Sequence, residues 1–142
     1  MAGYSETPLV KKLGIKTGFN IAFVNAPVNF FDELTLPKEV KVNSRSKRLL
    51  DFVLLFAKSE SELRKKFAEY AQRLGPTGMI WVAWPKKSSG VKTDLSFTNV
   101  QAIGLATGLV DIKICAVNEV WSGLKFVIRM KDRERAKTIR RQ

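Results

Sequence analysis

The chain contains no histidine and a single cysteine, Cys115, among its 142 residues. The first absence removes His-based zinc sites, His-based triads and histidine general bases, and the second forbids an internal disulfide. Acids are scarce, with 13 Asp and Glu against 25 Lys and Arg, so the net charge is +12. No apolar run approaches the ~20 residues that a membrane-spanning helix needs. The polar start, Met1 to Pro8, lacks the apolar segment of a secretory leader, and a cytoplasmic location is expected. Glycine-rich phosphate loops are missing as well. Lys87-Ser88 has its nearby glycine, Gly90, after the lysine and not before it, and Asn25-Ala26-Pro27-Val28-Asn29 stands where a Gly-x-Gly-x-x-Gly turn would follow a first strand.

What remains is ample for a folded core. Hydrophobic residues make up 45% of the chain, including nine Phe and three Trp, and this excludes a disordered protein. The length suits one domain, assigned here to residues 1–130, followed by a basic tail at 131–142. Residues 126–142 hold seven Lys or Arg and two acids, a local charge of +5.

Thr7-Pro8-Leu9 to Gly14 predicts a short helix, with threonine as cap, proline at the first turn and glycine at the stop. Gly18 to Pro27 reads as a first strand, Asn29 to Leu34 as a short helix, and Glu39 to Asn43 as an edge strand. Leu49 to Ala57 is apolar apart from Asp51, as befits a central parallel strand. Ser59 and Glu62 have capping-box spacing before Leu63, Phe67, Ala71 and Leu74, with Gly75-Pro76 ending the helix. Met79 to Ala83 is a further buried strand. Thr98 and Gln101 suggest the cap of a second helix that stops at Gly108, and Val110 to Val117 and Lys125 to Arg129 suggest an antiparallel pair. This order predicts an α/β protein: a Rossmann-like three-layer sandwich, mostly parallel, with a terminal antiparallel strand.

Such sheets bind ligands beyond the carboxyl ends of their strands. The turns there would carry Asn25, Lys58 and Ser59, then Trp84, Lys86, Lys87 and Ser88, and finally Glu119, Trp121 and Ser122. Two indoles, two lysines and a helix N-terminus after Ser59 point to an anionic small molecule. The candidate binding residues are therefore Asn25, Ser59, Trp84, Lys86, Lys87, Ser88, Trp121 and Ser122. No catalytic group stands out: Asp94, Asp111 and Glu119 each have a structural explanation, and Cys115 sits in an alternating run as a small core residue does.

Three segments carry a likeness. They are Gly3-Tyr4-Ser5-Glu6-Thr7-Pro8-Leu9 with Lys11 to Lys16, Trp81 to Val91 around Trp84-Pro85-Lys86-Lys87-Ser88-Ser89-Gly90, and Trp121-Ser122-Gly123-Leu124-Lys125. On these the chain resembles, over residues 3–130, a bacterial family of small proteins classed as a domain of unknown function. Glu6 departs from that pattern, which has glycine there, and the tail is an addition. The order of elements also resembles a shortened class I methyltransferase without its glycine-rich loop. Between Pro27 and Leu49 there is too little chain for that fold's usual second and third strands with their helices.

Three functions follow as expectations. The first is a non-catalytic or regulatory domain that binds an anionic ligand at the rim. The second is an S-adenosylmethionine-dependent methyltransferase with a degenerate cofactor loop. The third is nucleic-acid binding through the basic surface and tail. No cofactor, metal or membrane partner is indicated by the sequence alone.

Overall fold

The computed structural model describes residues 8–43 and 48–133; the basic tail beyond Arg133 and the expected cap Thr7 lie outside the described residues. Helix α1 spans Leu9–Leu13, directly after Pro8, and stops at Gly14, whose φ of 89° is the left-handed conformation that glycine adopts without strain. Strand β1 is Asn20–Val24 and the edge strand β2 is Lys41–Val42. Between them Phe30–Glu33 form a 3-10 turn.

Strand β3 (Leu50–Phe56) leads to helix α2 (Glu60–Ala71), then β4 (Leu74–Pro85), helix α3 (Phe97–Ala106), β5 (Leu109–Ala116) and β6 (Trp121–Ile128). They form one six-stranded sheet in the order β2-β1-β3-β4-β6-β5. β1 to β4 pair in parallel, whereas β6 runs antiparallel to both β4 and β5. The α/β architecture matches expectation, with one refinement. The antiparallel strand is last in sequence but lies between β4 and β5, not at the edge.

Several boundaries differ from the sequence reading. Leu74-Gly75-Pro76 begins β4 and does not close α2, because the chain has already turned back: Leu50 N–H donates to the Arg73 carbonyl at 2.7 Å. Residues 75–78 bulge out of the ladder between the Leu50–Leu74 and Phe52–Met79 pairs. The cap of α3 is Ser96, paired with Asn99, and not Thr98 with Gln101. Ser96 N–H donates to Asn99 Oδ1 at 2.6 Å. Trp121 to Gly123 belong to β6. Asn118 makes the preceding turn, its Oδ1 accepting the N–H groups of Val120 and Trp121 at 2.9 and 3.0 Å, which frees the tryptophan to enter the strand.

The handedness of crossovers explains the layers. From β3 to β4 and from β4 to β5 the chain advances one way along the sheet, so right-handed connections put α2 and α3 on the same face. From β1 to β2 it advances the other way, and that connection covers the opposite face. On the helical side Leu63, Phe67, Val100 and Ile103 bury Val53, Leu55, Val82 and Phe126. On the other side Leu13, Ile15 and Phe30 cover Phe23, Leu54, Phe56 and Trp81. Burying one such side chain stabilises the fold by about 1.5–3 kcal/mol. Trp81 also donates its indole N–H to the Leu13 carbonyl at 2.9 Å, which ties α1 to the sheet.

Candidate functional site

The carboxyl ends of β1, β3 and β4 share one rim with the start of β6, because Trp84 pairs with Ser122 and Pro85 with Trp121. Lys86 N–H donates to the Val120 carbonyl at 2.7 Å, joining the two turns. The expected gathering of the Pro85 and Ser122 turns on one side is therefore present.

The expected hollow between two indoles is not. Residues paired across a ladder point to the same face and their neighbours to the other, so Trp84 and Trp121 lie on opposite sides of the sheet. Trp84 is 5% exposed and packs into the helical-side core, while Trp121 is 7% exposed and packs into the other. Trp121 stands edge-on to Phe56 at 5.0 Å. Lys87 and Ser88 are exposed in a 3-10 turn, Lys86 and Ser122 are half-buried, and Ser122 shares a face with Trp84.

Ser59 is spent on structure. Its hydroxyl accepts Glu62 N–H at 3.2 Å, and Asp94 Oδ1 accepts Glu60 N–H at 2.7 Å. Two of the first amides of α2 are thus satisfied, and Glu60 and Glu62 bring negative charge to the same turn. The expected anion site at this helix N-terminus is consequently corrected. Asp94, one of the acid/base candidates, is a cap of α2, and Asp111 accepts from Gln101 Nε2 at 3.1 Å. Cys115 is half-buried at the margin of the core, not within it, and burial pushes its thiol above the ordinary range against the smaller opposing effect of Lys12 and Lys113.

What the rim does contain is a cleft of about 390 Å³ between the ends of β1 and β3. Its lining is Asn25, Ala26, Phe56, Ala57, Lys58, Glu62 and Trp121. This is the topological switch point, where the connection after β1 leaves towards one face and that after β3 towards the other, opening a crevice between them. Asn25 and Trp121 are the two predicted site residues found there. The sequence reading places Lys58 on the rim but treats Glu62 only as half of a capping box and Phe56 as core. Glu62 Oε1 reaches back to accept Lys58 N–H at 3.3 Å, so the carboxylate lies at the mouth of the cleft. Asn25 holds a φ of 58°, the left-handed turn that non-glycine residues rarely adopt and asparagine tolerates best. Its side-chain amide donates to the Phe56 carbonyl at 3.4 Å and so bridges the two strand ends.

A larger cavity, about 580 Å³, lies at the opposite rim among Gly18, Asn20, Lys41, Arg48 and Asp51. It sits at the amino ends of the parallel strands, where the sheet has no switch point. The smaller cleft is therefore the better candidate, although it is not the largest.

No protein-family model matches the chain, and no curated protein is similar to it in sequence. Solved structures do share its fold. A SAM-dependent methyltransferase from Aquifex aeolicus superposes with a TM-score of 0.61 at 14% identity, covering 85% of this chain and 88% of that one. The magnesium protoporphyrin IX methyltransferase of Synechocystis PCC 6803, solved with bound SAH, gives 0.57 at 8% identity, covering 85% and 78%. The precorrin-6y C5,15-methyltransferase of Geobacter metallireducens GS-15 gives 0.57 at 9% identity, covering 85% and 86%. At these identities the likeness establishes a Rossmann-like, methyltransferase-type fold and nothing finer.

Proposed function

We propose that the protein binds an S-adenosylmethionine-class ligand in the switch-point cleft and acts as a small methyltransferase. The observation that carries this reading is the composition of the cleft: an acid, Glu62, and a lysine, Lys58, both exposed, beside the small open edge of the otherwise buried Trp121. A nucleoside joined to an amino acid offers a flat base for an indole and a zwitterionic end for an acid and a base placed together. The cleft volume of about 390 Å³ also falls within the range of small-molecule sites.

The loop after β1 was the principal objection from sequence. Its first residue, Asn25, takes up the left-handed turn that glycine would supply, and Ala26 presents only a methyl group to the cleft. Pro27 and Val28 keep the remainder of the loop stiffer than a glycine loop. The residues present thus suit such a ligand in polarity and the cleft suits it in volume, with side chains taking over part of what a glycine loop does through its backbone. When bound, such a ligand supplies an electrophilic methyl group. The roles of this chain are to border the base with the open edge of Trp121, to hold the zwitterionic end between Lys58 and Glu62, and to fix the loop through Asn25.

The second reading, a non-catalytic domain for an anionic ligand, is favoured by the lysines of the rim, Lys58 and Lys87 exposed and Lys86 half-buried. Titration calorimetry of the full chain with S-adenosylmethionine and S-adenosylhomocysteine separates the two. Micromolar binding is expected, weakened about tenfold or more by Glu62→Gln, which is about 1.4 kcal/mol. If neither compound binds while a simple anionic metabolite does, the second reading replaces the first.

A further inference from the structure

The sheet face opposite α2 and α3 carries a group of lysines that the cleft does not use. Lys113 in β5 and Lys125 in β6 are direct partners across the antiparallel ladder. Like charges directly opposite one another destabilise a sheet. Lys125 also pairs with Trp81 in β4, which puts it on the side that α1 covers. There its Nζ lies 3.9 Å from the position a Cβ on Gly14 would take. The Lys113 ammonium donates to the Lys12 carbonyl at the end of α1 at 3.0 Å. Lys16 follows two residues after Gly14, and its charge, like that of Lys113, acts on Lys125. Lys12 and Lys113 act together on Cys115 in the same way.

Two strands and the α1 turn thus converge their ammonium groups on one patch. The carbonyl end of α1 accounts for a single donor, that of Lys113. The end of α1 lies beside these side chains, yet Lys16 and Lys113 are exposed and Lys12 and Lys125 only half-buried, so the patch is reachable from solvent. Half-burial of Lys125 removes part of the water that would otherwise screen the repulsion, so its ammonium form is disfavoured by burial first and by Lys113 and Lys16 next.

We propose that Lys12, Lys16, Lys113 and Lys125 form a site for a phosphate group, carried either by a small phosphate ester or by a nucleic-acid backbone. At neutral pH a phosphate monoester bears a charge of about −1.5 to −2 and a backbone phosphodiester about −1, each with acceptor oxygens, which turns mutual repulsion into shared attraction. Lysines supply it as adjustable point charges without the fixed geometry an arginine fork would impose. The site is independent of the switch-point cleft, since none of the four lysines lines that cleft.

The test is thermal unfolding of the full chain at constant ionic strength while chloride is replaced stepwise by inorganic phosphate. Phosphate is expected to raise Tm by about 3 °C or more beyond the chloride control. Lys113→Gln and Lys125→Gln are expected to raise Tm in chloride alone, by relieving repulsion, and to abolish the phosphate increment. Lys16→Gln, at an exposed position, checks the same loss without disturbing the sheet. Binding of adenosine 5′-monophosphate and of a short single-stranded oligonucleotide then distinguishes the sources. A preference of about tenfold or more for the oligonucleotide, with a steep salt dependence lost in Lys125→Gln, supports a backbone phosphate. Equal affinities, both lost in that variant, support a small ester. The proposal is overturned if phosphate and chloride act alike on the unsubstituted protein, or if the lysine variants keep the phosphate increment.

Discussion

A Cβ placed on Gly104 would lie 2.0 Å from a ring carbon of Phe126, the residue through which α3 sits on β6 and which meets Phe67 of α2 edge-on at 5.2 Å. Glycine is required there by space and not by backbone freedom, since the residue is helical. Gly104→Ala should therefore destabilise the fold by about 1–3 kcal/mol through overpacking, although alanine is the better helix former. Denaturant unfolding checks the sign: a more stable variant would mean that Phe126 can step aside. The same scale explains why the tryptophans misled. Trp84 and Trp121 are adjacent to turns in sequence, but strand alternation sends their indoles to opposite cores, and Trp121 borders the switch-point cleft.

Among the elements, α2 shows how capping and function compete for the same atoms. The helix begins with Ser59 from its own segment and Asp94 from the loop before α3, and these hold Glu62 N–H and Glu60 N–H. Asp94 N–H in turn donates to the Lys58 carbonyl at 3.3 Å, and Thr93 Oγ1 hydrogen-bonds to the same carbonyl, so the loop is clamped to the end of β3. Asp94→Ala should cost about 1 kcal/mol or somewhat more, measured by thermal or denaturant unfolding. It should also loosen the Lys58 wall of the cleft, so that any ligand bound there weakens along with the helix. Element identity was largely legible, because hydrophobic period, Ser59, Gly14 and Gly108 each leave local signals. The boundaries that shifted did so where a distant partner overrode them. Leu74 pairs with Leu50 in the sheet, and Asn118 takes over the turn that Trp121-Ser122-Gly123 would otherwise make.

Across the whole molecule, part of the positive excess gathers on one face of the sheet, at Lys12, Lys16, Lys113 and Lys125. Lys125 sits partly buried, with Lys113 and Lys16 acting on it, Lys12 bonded to Lys113 through its carbonyl, and Cys115 nearby in β5. Its folded pKa lies below its unfolded value, so between the two the unfolded chain holds more protons. Stability consequently rises with pH through that window, which opens below the ordinary lysine value of about 10.4. Cys115 works in the opposite sense: its folded value is raised, and its contribution is full below about 8.5 and is lost as pH climbs through the folded value. Lys125→Met should therefore be more stable than the unsubstituted chain near about pH 7, with the gap narrowing towards about pH 10. Thermal unfolding across that range checks it, and a gap that widens with pH would refute the assignment.

By itself the sequence determined the class of fold, the order of strands and helices, the shared rim and the exclusion of histidine chemistry, because periodicity, caps and composition are properties of neighbouring residues. It also placed Asn25 and Trp121 on the rim where the switch-point cleft opens. Only the tertiary structure decided which side of the sheet each rim residue faces, that Glu62 and Lys58 flank one cleft, and that Lys12 and Lys113, 101 residues apart, meet. Those outcomes rest on register and on the handedness of crossovers, which set direction and pairing between segments distant in the chain and leave no local mark in the sequence.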